Sequence, residues 1–119
     1  MAELLIVDDA MFMRANIKKM VEEAGHTVVA EAGTGEQAIE AYRTYNPDIV
    51  LMDITMPDMD GITATQRIIA EHPDANIVMV SAMGQMEMVV KAISSGAKDF
   101  VVKPVDYDKL KTCIKKYTK

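Results

Sequence analysis

Short apolar runs alternate with helical apolar patterns along the whole chain. Five runs have the length of strands and are nearly continuous in apolar residues, instead of alternating with polar ones. Strands of this kind are buried on both faces, which predicts a parallel sheet covered by helices. The predicted strands are residues 4–7, 27–30, 49–52, 77–80 and 100–102.

Apolar residues between and after these runs recur every three or four positions, which predicts a helix after each strand. Asp9 is the expected N-cap of the first helix and Asp106 that of the last. Gly35 is expected to open the second helix, Asp60-Gly61 to precede the third, and the fourth helix to span about residues 85–95. The order βαβαβαβαβα indicates one α/β domain over residues 1–119, without a linker or a repeat.

Four of the predicted strands run into polar residues of different kinds. Because parallel strands end at the same edge of a sheet, three carboxylates, a hydroxyl and an ammonium are expected to converge there. Ligands bind at this edge in open α/β sheets. The residues are Asp8, Asp9, Asp53, Ser81 and Lys103.

These residue types suit phosphoryl transfer with a divalent metal. Clustered carboxylates are ligands for Mg²⁺, and the lack of a nearby cysteine or histidine disfavours zinc. Asp53 can also act as a nucleophile toward phosphorus. Lys103 would then neutralise charge on the phosphoryl oxygens, and Ser81 would donate a hydrogen bond to them.

Each residue taken alone has a simpler explanation. An aspartate at a strand end most often caps a helix or forms a turn, a lysine before proline is usually solvated, and Ser81 could cap the next helix. The second strand ends on Glu31, a weaker candidate. The coincidence of suitable groups at four strand ends favours a site.

Composition narrows the classes of partner and compartment. The net charge of −5 and pI of about 4.9 argue against nucleic acid and anionic membranes as partners. One cysteine permits no internal disulfide and fits a reducing compartment. No apolar run approaches the roughly 20 residues of a membrane span, and no signal peptide is recognisable, so a cytoplasmic location is predicted.

The chain resembles the receiver domain of two-component response regulators from end to end. The matching motifs are residues 5–9, 52–61, 81–84 and 103–104. Residues 8–14 and 52–57 are most similar to the stand-alone chemotaxis regulators of that family. The resemblance implies a flavodoxin-like, doubly wound (βα)5 fold with strand order 2-1-3-4-5, and a cis peptide bond between Lys103 and Pro104.

The resemblance also implies site roles. Asp53 corresponds to the phosphoacceptor, with Ser81 and Lys103 binding the phosphoryl group. The expected Mg²⁺ ligands are Asp9, Asp53 and the backbone carbonyl of Thr55, with Asp8 acting through water.

Further positions correspond to parts of the family's switch. Ser81, Phe100 and a groove beside Val89 correspond to the switch and partner surface. Thr55 and Met83 fall where the family varies and where the rate of dephosphorylation is tuned.

The implied function is a monomeric signalling switch. A sensor histidine kinase would phosphorylate it, a flagellar motor switch protein would be its target, and a dedicated phosphatase could reset it. It would be no enzyme beyond catalysing its own phosphorylation and dephosphorylation.

Other kinds of protein are alternatives to this switch. They are a receiver cut from a longer DNA-binding regulator or hybrid kinase, a phosphorelay intermediate and an aspartate-nucleophile phosphatase. Such a phosphatase needs a general acid where Thr55 stands and a substrate cap for which 119 residues leave no room. The lack of a linker at either end favours a complete protein.

Overall fold

The computed structural model describes residues 1–82 and 86–118, and its elements alternate as the sequence predicts. The strands are β1 (Glu3–Val7), β2 (Thr27–Ala32), β3 (Ile49–Met52), β4 (Ile77–Ser81) and β5 (Asp99–Val102). The helices are α1 (Met11–Glu23), α2 (Gly35–Tyr45), α3 (Gly61–Glu71), α4 (Met86–Ser94) and α5 (Tyr107–Lys116).

All five strands are parallel and form one sheet in the order β2-β1-β3-β4-β5. This confirms the predicted doubly wound (βα)5 fold. β1 and β3 are neighbours in the sheet although they are not consecutive in the chain, so their carboxyl ends adjoin. The register pairs Val7 with Met52, which places the residues that follow these two side by side.

The core lies on both faces of the sheet, as continuously apolar strands require. Leu5 and Val7 of β1 point into one hydrophobic cluster, shared with α2, α3 and α4. Leu4 and Ile6 point into the other, shared with α1 and α5. Packing on both faces fixes the position of each strand end, and therefore of the polar residues that follow.

Several boundaries differ from the sequence expectation. The N-cap of α1 is Ala10, with no side-chain capping bond, so the prediction of Asp9 as the cap was wrong. Asp106 caps α5 as predicted, accepting hydrogen bonds from two backbone N–H groups. β2 continues two residues beyond its predicted end, to Ala32, because it pairs along the whole of β1.

One further prediction is confirmed directly after β5. The Lys103–Pro104 peptide bond is cis, as the family resemblance implied. α4 is described from Met86 onward, so its expected start near residue 85, and Met83, lie outside the described residues. Within the described ranges, no helix is long and apolar enough to cross a membrane.

Candidate functional site

Three carboxylates meet at the carboxyl edge of the sheet. Asp8 and Asp9 follow β1, and Asp53 follows β3. Each offers an oxygen, and these oxygens all lie within 4.8 Å of one another. Asp8 and Asp53 are buried, at 2% and 7% exposure, whereas Asp9 is exposed. The cluster is therefore closed to solvent at Asp8 and Asp53 and open to solvent at Asp9.

Lys103 brings a positive charge into this cluster from the end of β5. Its Nζ lies 2.7 Å from Asp8 Oδ2 and 3.7 Å from Asp53 Oδ1. The backbone N–H of Lys103 donates to the carbonyl of Ser81 at 2.9 Å, which ties the end of β5 to the end of β4. The ammonium is thus held between two buried carboxylates by the order of the strands.

Asp8 is fixed at several atoms. Its Oδ1 accepts the backbone N–H of Ala10 at 2.9 Å, and its Oδ2 accepts from Lys103. Its own N–H continues the β1–β2 ladder by donating to Ala32 at 3.0 Å. Asp8 is therefore a rigid part of the site.

Asp53 is the carboxylate whose ionisation the site perturbs. The pKa of Asp53 is raised to about 6, mainly by burial and also by the negative charges of Asp8 and Asp9. The Lys103 ammonium and a hydrogen bond from the backbone N–H of Thr55 act in the opposite direction on this pKa. A buried carboxylate whose pKa is shifted by burial and by specific charged neighbours is typical of a functional site.

The donor set fits a hard divalent cation. Carboxylate oxygens suit Mg²⁺, which needs few protein ligands and retains several waters. The exposed carboxylate of Asp9 leaves one side of the cluster open to those waters. Within the two described ranges this is the only group of three or more histidine, cysteine or acidic residues that could hold a metal.

Ser81 and Phe100 lie on adjacent strands and on the same face of the sheet. Ser81 ends β4 and is 1% exposed. Phe100 on β5 is paired in register with Met79, two residues before Ser81. Side chains two residues apart on a strand share a face. Phe100 is half-buried, as is Val89 on α4.

Two other candidate residues add no charged side chain to the cluster. Thr55, exposed on the loop after β3, contacts the site through its backbone N–H, which donates to the Asp53 carboxyl. Glu31, the weaker candidate, binds a side chain of α1, with Arg14 Nε 3.2 Å from its Oε1.

Two residues that shape the site were not predicted. Arg14 donates from Nη1 to the Asp8 carbonyl at 2.5 Å, a contact that no sequence pattern indicates because it joins a helix to a strand end. Gly61 begins α3 against the backbone of Asp53, where an added Cβ would lie 1.9 Å from the Asp53 carbonyl oxygen. An aspartate-glycine pair at a predicted helix start was the available signal for Gly61.

Comparisons with known proteins agree with this geometry. Residues 4–115 match the family model described as the response regulator receiver domain. The chain is 52% identical over 119 residues to the chemotaxis protein CheY of Listeria monocytogenes, covering all of both chains. It is 54% identical over 113 residues to CheY of Bacillus subtilis, covering 95% of this chain and 94% of that one.

Solved structures show the same fold. A CheX–CheY–BeF3–Mg²⁺ complex from Borrelia burgdorferi contains a chain that matches with a TM-score of 0.92 at 37% identity. The match covers 98% of this chain and 90% of that chain. The receiver domain of Thermotoga maritima CheB matches with a TM-score of 0.85 at 30% identity, covering 97% and 92%.

Proposed function

The chain belongs to the response regulator receiver family, and from that premise we propose that it is a phosphorylation-activated switch of a chemotaxis system. It accepts a phosphoryl group on Asp53 from a phosphohistidine of a sensor histidine kinase. The phosphorylated form then binds its target more tightly. The similarity to CheY proteins over the full chain supports the assignment to chemotaxis.

The position of Asp53 is the observation that carries the proposal. Its carboxylate ends a central strand and lies between an acidic cluster and an ammonium, with Lys103 Nζ at 3.7 Å. Phosphoryl transfer needs a nucleophile together with positive charge for the equatorial oxygens. Asp53, the neighbouring carboxylates and Lys103 lie together at one sheet edge, which supports these roles.

In the reaction, a carboxylate oxygen of Asp53 forms a bond to phosphorus as the bond between phosphorus and the donor imidazole nitrogen breaks. The electron pair of the broken bond returns to the imidazole, and the product on the protein is an acyl phosphate. Lys103 Nζ and the Ser81 hydroxyl bind the oxygens of the transferred group. These contacts stabilise charge where it develops.

Mg²⁺ would be held by Asp9, Asp53 and the Thr55 carbonyl, with Asp8 acting through a bound water. When bound, the ion supplies positive charge to the transferring oxygens. The three clustered carboxylates and their hard donor atoms support this assignment. Asp8 already accepts hydrogen bonds from Ala10 and Lys103, which agrees with an indirect role.

The response is carried from Ser81 to Phe100. When the Ser81 hydroxyl turns to the phosphoryl oxygens, it vacates space on the face that it shares with Phe100. The ring moves inward, and the surface formed by α4, β5 and α5 changes beside Val89. A tenfold gain in target affinity requires about 1.4 kcal/mol, and one charge-assisted hydrogen bond supplies roughly 1.5–3 kcal/mol.

The proposed partners are those that the similarity to CheY proteins supports. A CheA-like kinase is the phosphodonor, and a flagellar motor switch protein is the target. A dedicated phosphatase is proposed as a third partner, and the Borrelia burgdorferi complex, which contains CheX with CheY, BeF3 and Mg²⁺, supports a further protein partner of this kind of chain. The protein acts as a cytoplasmic monomer and catalyses only its own phosphorylation and dephosphorylation.

The test is the affinity for the flagellar motor switch protein of the same organism, measured by calorimetry with and without beryllofluoride and Mg²⁺. The wild type should bind at least tenfold more tightly with both present. Ser81→Ala and Phe100→Ala should lose most of that gain. Thr44→Ala, which removes an exposed hydroxyl on α2, is the control and should keep it.

The wild-type result tests the proposed target and switch, and the results for the two variants test the coupling of Ser81 to Phe100. If the wild type gains no affinity, the proposed target and switch are wrong. If the wild type gains affinity and both Ser81→Ala and Phe100→Ala keep the full gain, the switch operates by a different route.

A further inference from the structure

Arg14 joins the ends of two strands beside the carboxylate cluster. We infer that Arg14 is a positioning residue for the Mg²⁺ site, which sets the direction of Asp8 and Asp9 by holding the peptide plane between them. The inference rests on the proposed Mg²⁺ site and assigns Arg14 no contact with the metal or the phosphoryl group.

Arg14 contacts residues at the carboxyl ends of both β1 and β2. From the first turns of α1, its Nη1 donates to the Asp8 carbonyl at 2.5 Å, and its Nε donates to Glu31 Oε1 at 3.2 Å. The guanidinium lies over Gly33, where an added Cβ would be 3.4 Å from Nη1. The Arg14 side chain is 16% exposed, so its geometry is confined by its surroundings.

The Asp8 carbonyl is an effective point at which to hold this loop. It belongs to the peptide unit shared with Asp9, and a peptide unit is planar. Fixing that oxygen therefore fixes the plane from which both residues project. The Asp8 carboxylate is also held by Lys103. Asp9 is exposed, so the direction of its side chain depends more on the orientation of this peptide plane. Loss of Arg14 should accordingly disturb Asp9, a proposed direct ligand.

A purely electrostatic effect of Arg14 would have the opposite sign. A positive charge beside the cluster repels an incoming cation, so its removal would strengthen Mg²⁺ binding. Glu31 offsets much of this charge because it is paired with the same guanidinium. When Arg14 is replaced, we therefore expect the loss of positioning, which weakens Mg²⁺ binding, to outweigh the loss of repulsion, which strengthens it. Lysine preserves the charge but lacks the planar fork that reaches two acceptors at once.

The experiment measures the Mg²⁺ dissociation constant by calorimetry, and stability by urea denaturation, in four proteins. These are the wild type, Arg14→Lys, Arg14→Met and the control Arg43→Lys. Arg43 also joins two elements by a fork, with Nε and Nη2 2.8 and 2.6 Å from the Glu71 carboxylate, on helices α2 and α3. Both Arg14 variants should bind Mg²⁺ about tenfold more weakly, the low end for residues that orient metal ligands. Arg43→Lys should bind Mg²⁺ like the wild type.

Each result decides the inference. It is overturned if Arg14→Lys binds Mg²⁺ as tightly as the wild type, or if Arg14→Met binds more tightly, which is the electrostatic outcome. It is also overturned if Arg43→Lys weakens Mg²⁺ binding as much as Arg14→Lys at an equal loss of stability. If Arg14→Met does not fold, the comparison of Arg14→Lys with Arg43→Lys decides. A wild type that binds no Mg²⁺ instead refutes the proposed function on which the inference rests.

Discussion

The surroundings of Asp53 determine the pH at which its carboxyl ionises, and therefore how much its charge destabilises the folded protein. Burial, followed by the charges of Asp8 and Asp9, keeps the pKa of this carboxyl at about 6 instead of 3.8. An ionised Asp53 therefore destabilises the folded protein above pH 6. At 1.36 kcal/mol for each pKa unit, ionising Asp53 lowers the free energy of unfolding by at most about 3 kcal/mol. The attraction of Lys103, whose Nζ lies 3.7 Å away, is already included in this pKa.

Asp53→Asn should stabilise the protein in EDTA at pH 8, because it removes a buried charge and keeps the shape of the side chain. The folded-state pKa is raised, so the folded protein binds the proton more tightly than the unfolded chain between pH 4 and 6. The gain in stability should therefore be complete above pH 6 and should disappear as the pH falls to 4. Urea denaturation at pH 4, 5, 6 and 8 measures it.

Asp74→Asn is the matched control, since Asp74 is exposed at the opposite end of the sheet. It should change stability by less than about 0.5 kcal/mol at each pH. An equal gain for Asp53→Asn at pH 4 and pH 8 would show that burial does not hold the Asp53 pKa near 6.

At the scale of elements, the start of α3 packs against the backbone of Asp53, the proposed phosphoacceptor. The N–H of Gly61 donates to the carbonyl of Ile54 at 2.7 Å, and Asp60 caps the helix through the N–H of Thr63. There is no space for a side chain at position 61, because its Cβ would overlap the Asp53 carbonyl. The start of α3 and the residue that carries the Asp53 carboxylate are therefore coupled through backbone contact.

Gly61→Ala should displace the backbone of Asp53. A stability loss of about 1–3 kcal/mol is expected from overpacking, and a shift of about 1 Å in a reacting group can cost a hundredfold in rate. The rate of phosphorylation by acetyl phosphate with Mg²⁺, followed by mass spectrometry, should fall by about that factor.

The control for Gly61→Ala is Gly25→Ala. Gly25 has a φ of +91° and nothing within 4 Å of an added Cβ, so alanine there strains only its own backbone, at about 1–2 kcal/mol. Its phosphorylation rate should match that of the wild type. A wild-type rate in Gly61→Ala would mean that the contact does not position Asp53.

Over the whole molecule, the sequence was enough to predict the architecture because its signals are periodic and local. Continuously apolar runs predicted parallel strands, and the glycines and caps between them predicted the helix ends. Strand order came from the family resemblance, since no local pattern specifies that β1 lies beside β3. That Asp8 and Asp53 lie at the same sheet edge was predicted from the parallel strands alone, and the strand order adds that the two residues follow neighbouring strands.

What the sequence could not provide is geometry that depends on contacts between elements. The contact of Arg14 with Asp8 joins a helix to a strand end, and the clash at Gly61 involves the backbone of a different element. Asp9 was expected to cap α1, but the chain turns one residue later, where Asp8 accepts the Ala10 N–H. The helix therefore begins one residue later than the capping preference of aspartate predicted.

The proposed function requires that one carboxylate, Asp53, receives the phosphoryl group in the presence of Mg²⁺. Intact-mass and peptide mass spectrometry after incubation with acetyl phosphate measures this directly. The wild type should gain one phosphoryl group, located on Asp53, in Mg²⁺ and none in EDTA, and Asp53→Asn should gain none in either. Labelling of Asp53→Asn to the level of the wild type, or undiminished labelling of the wild type in EDTA, would contradict this account.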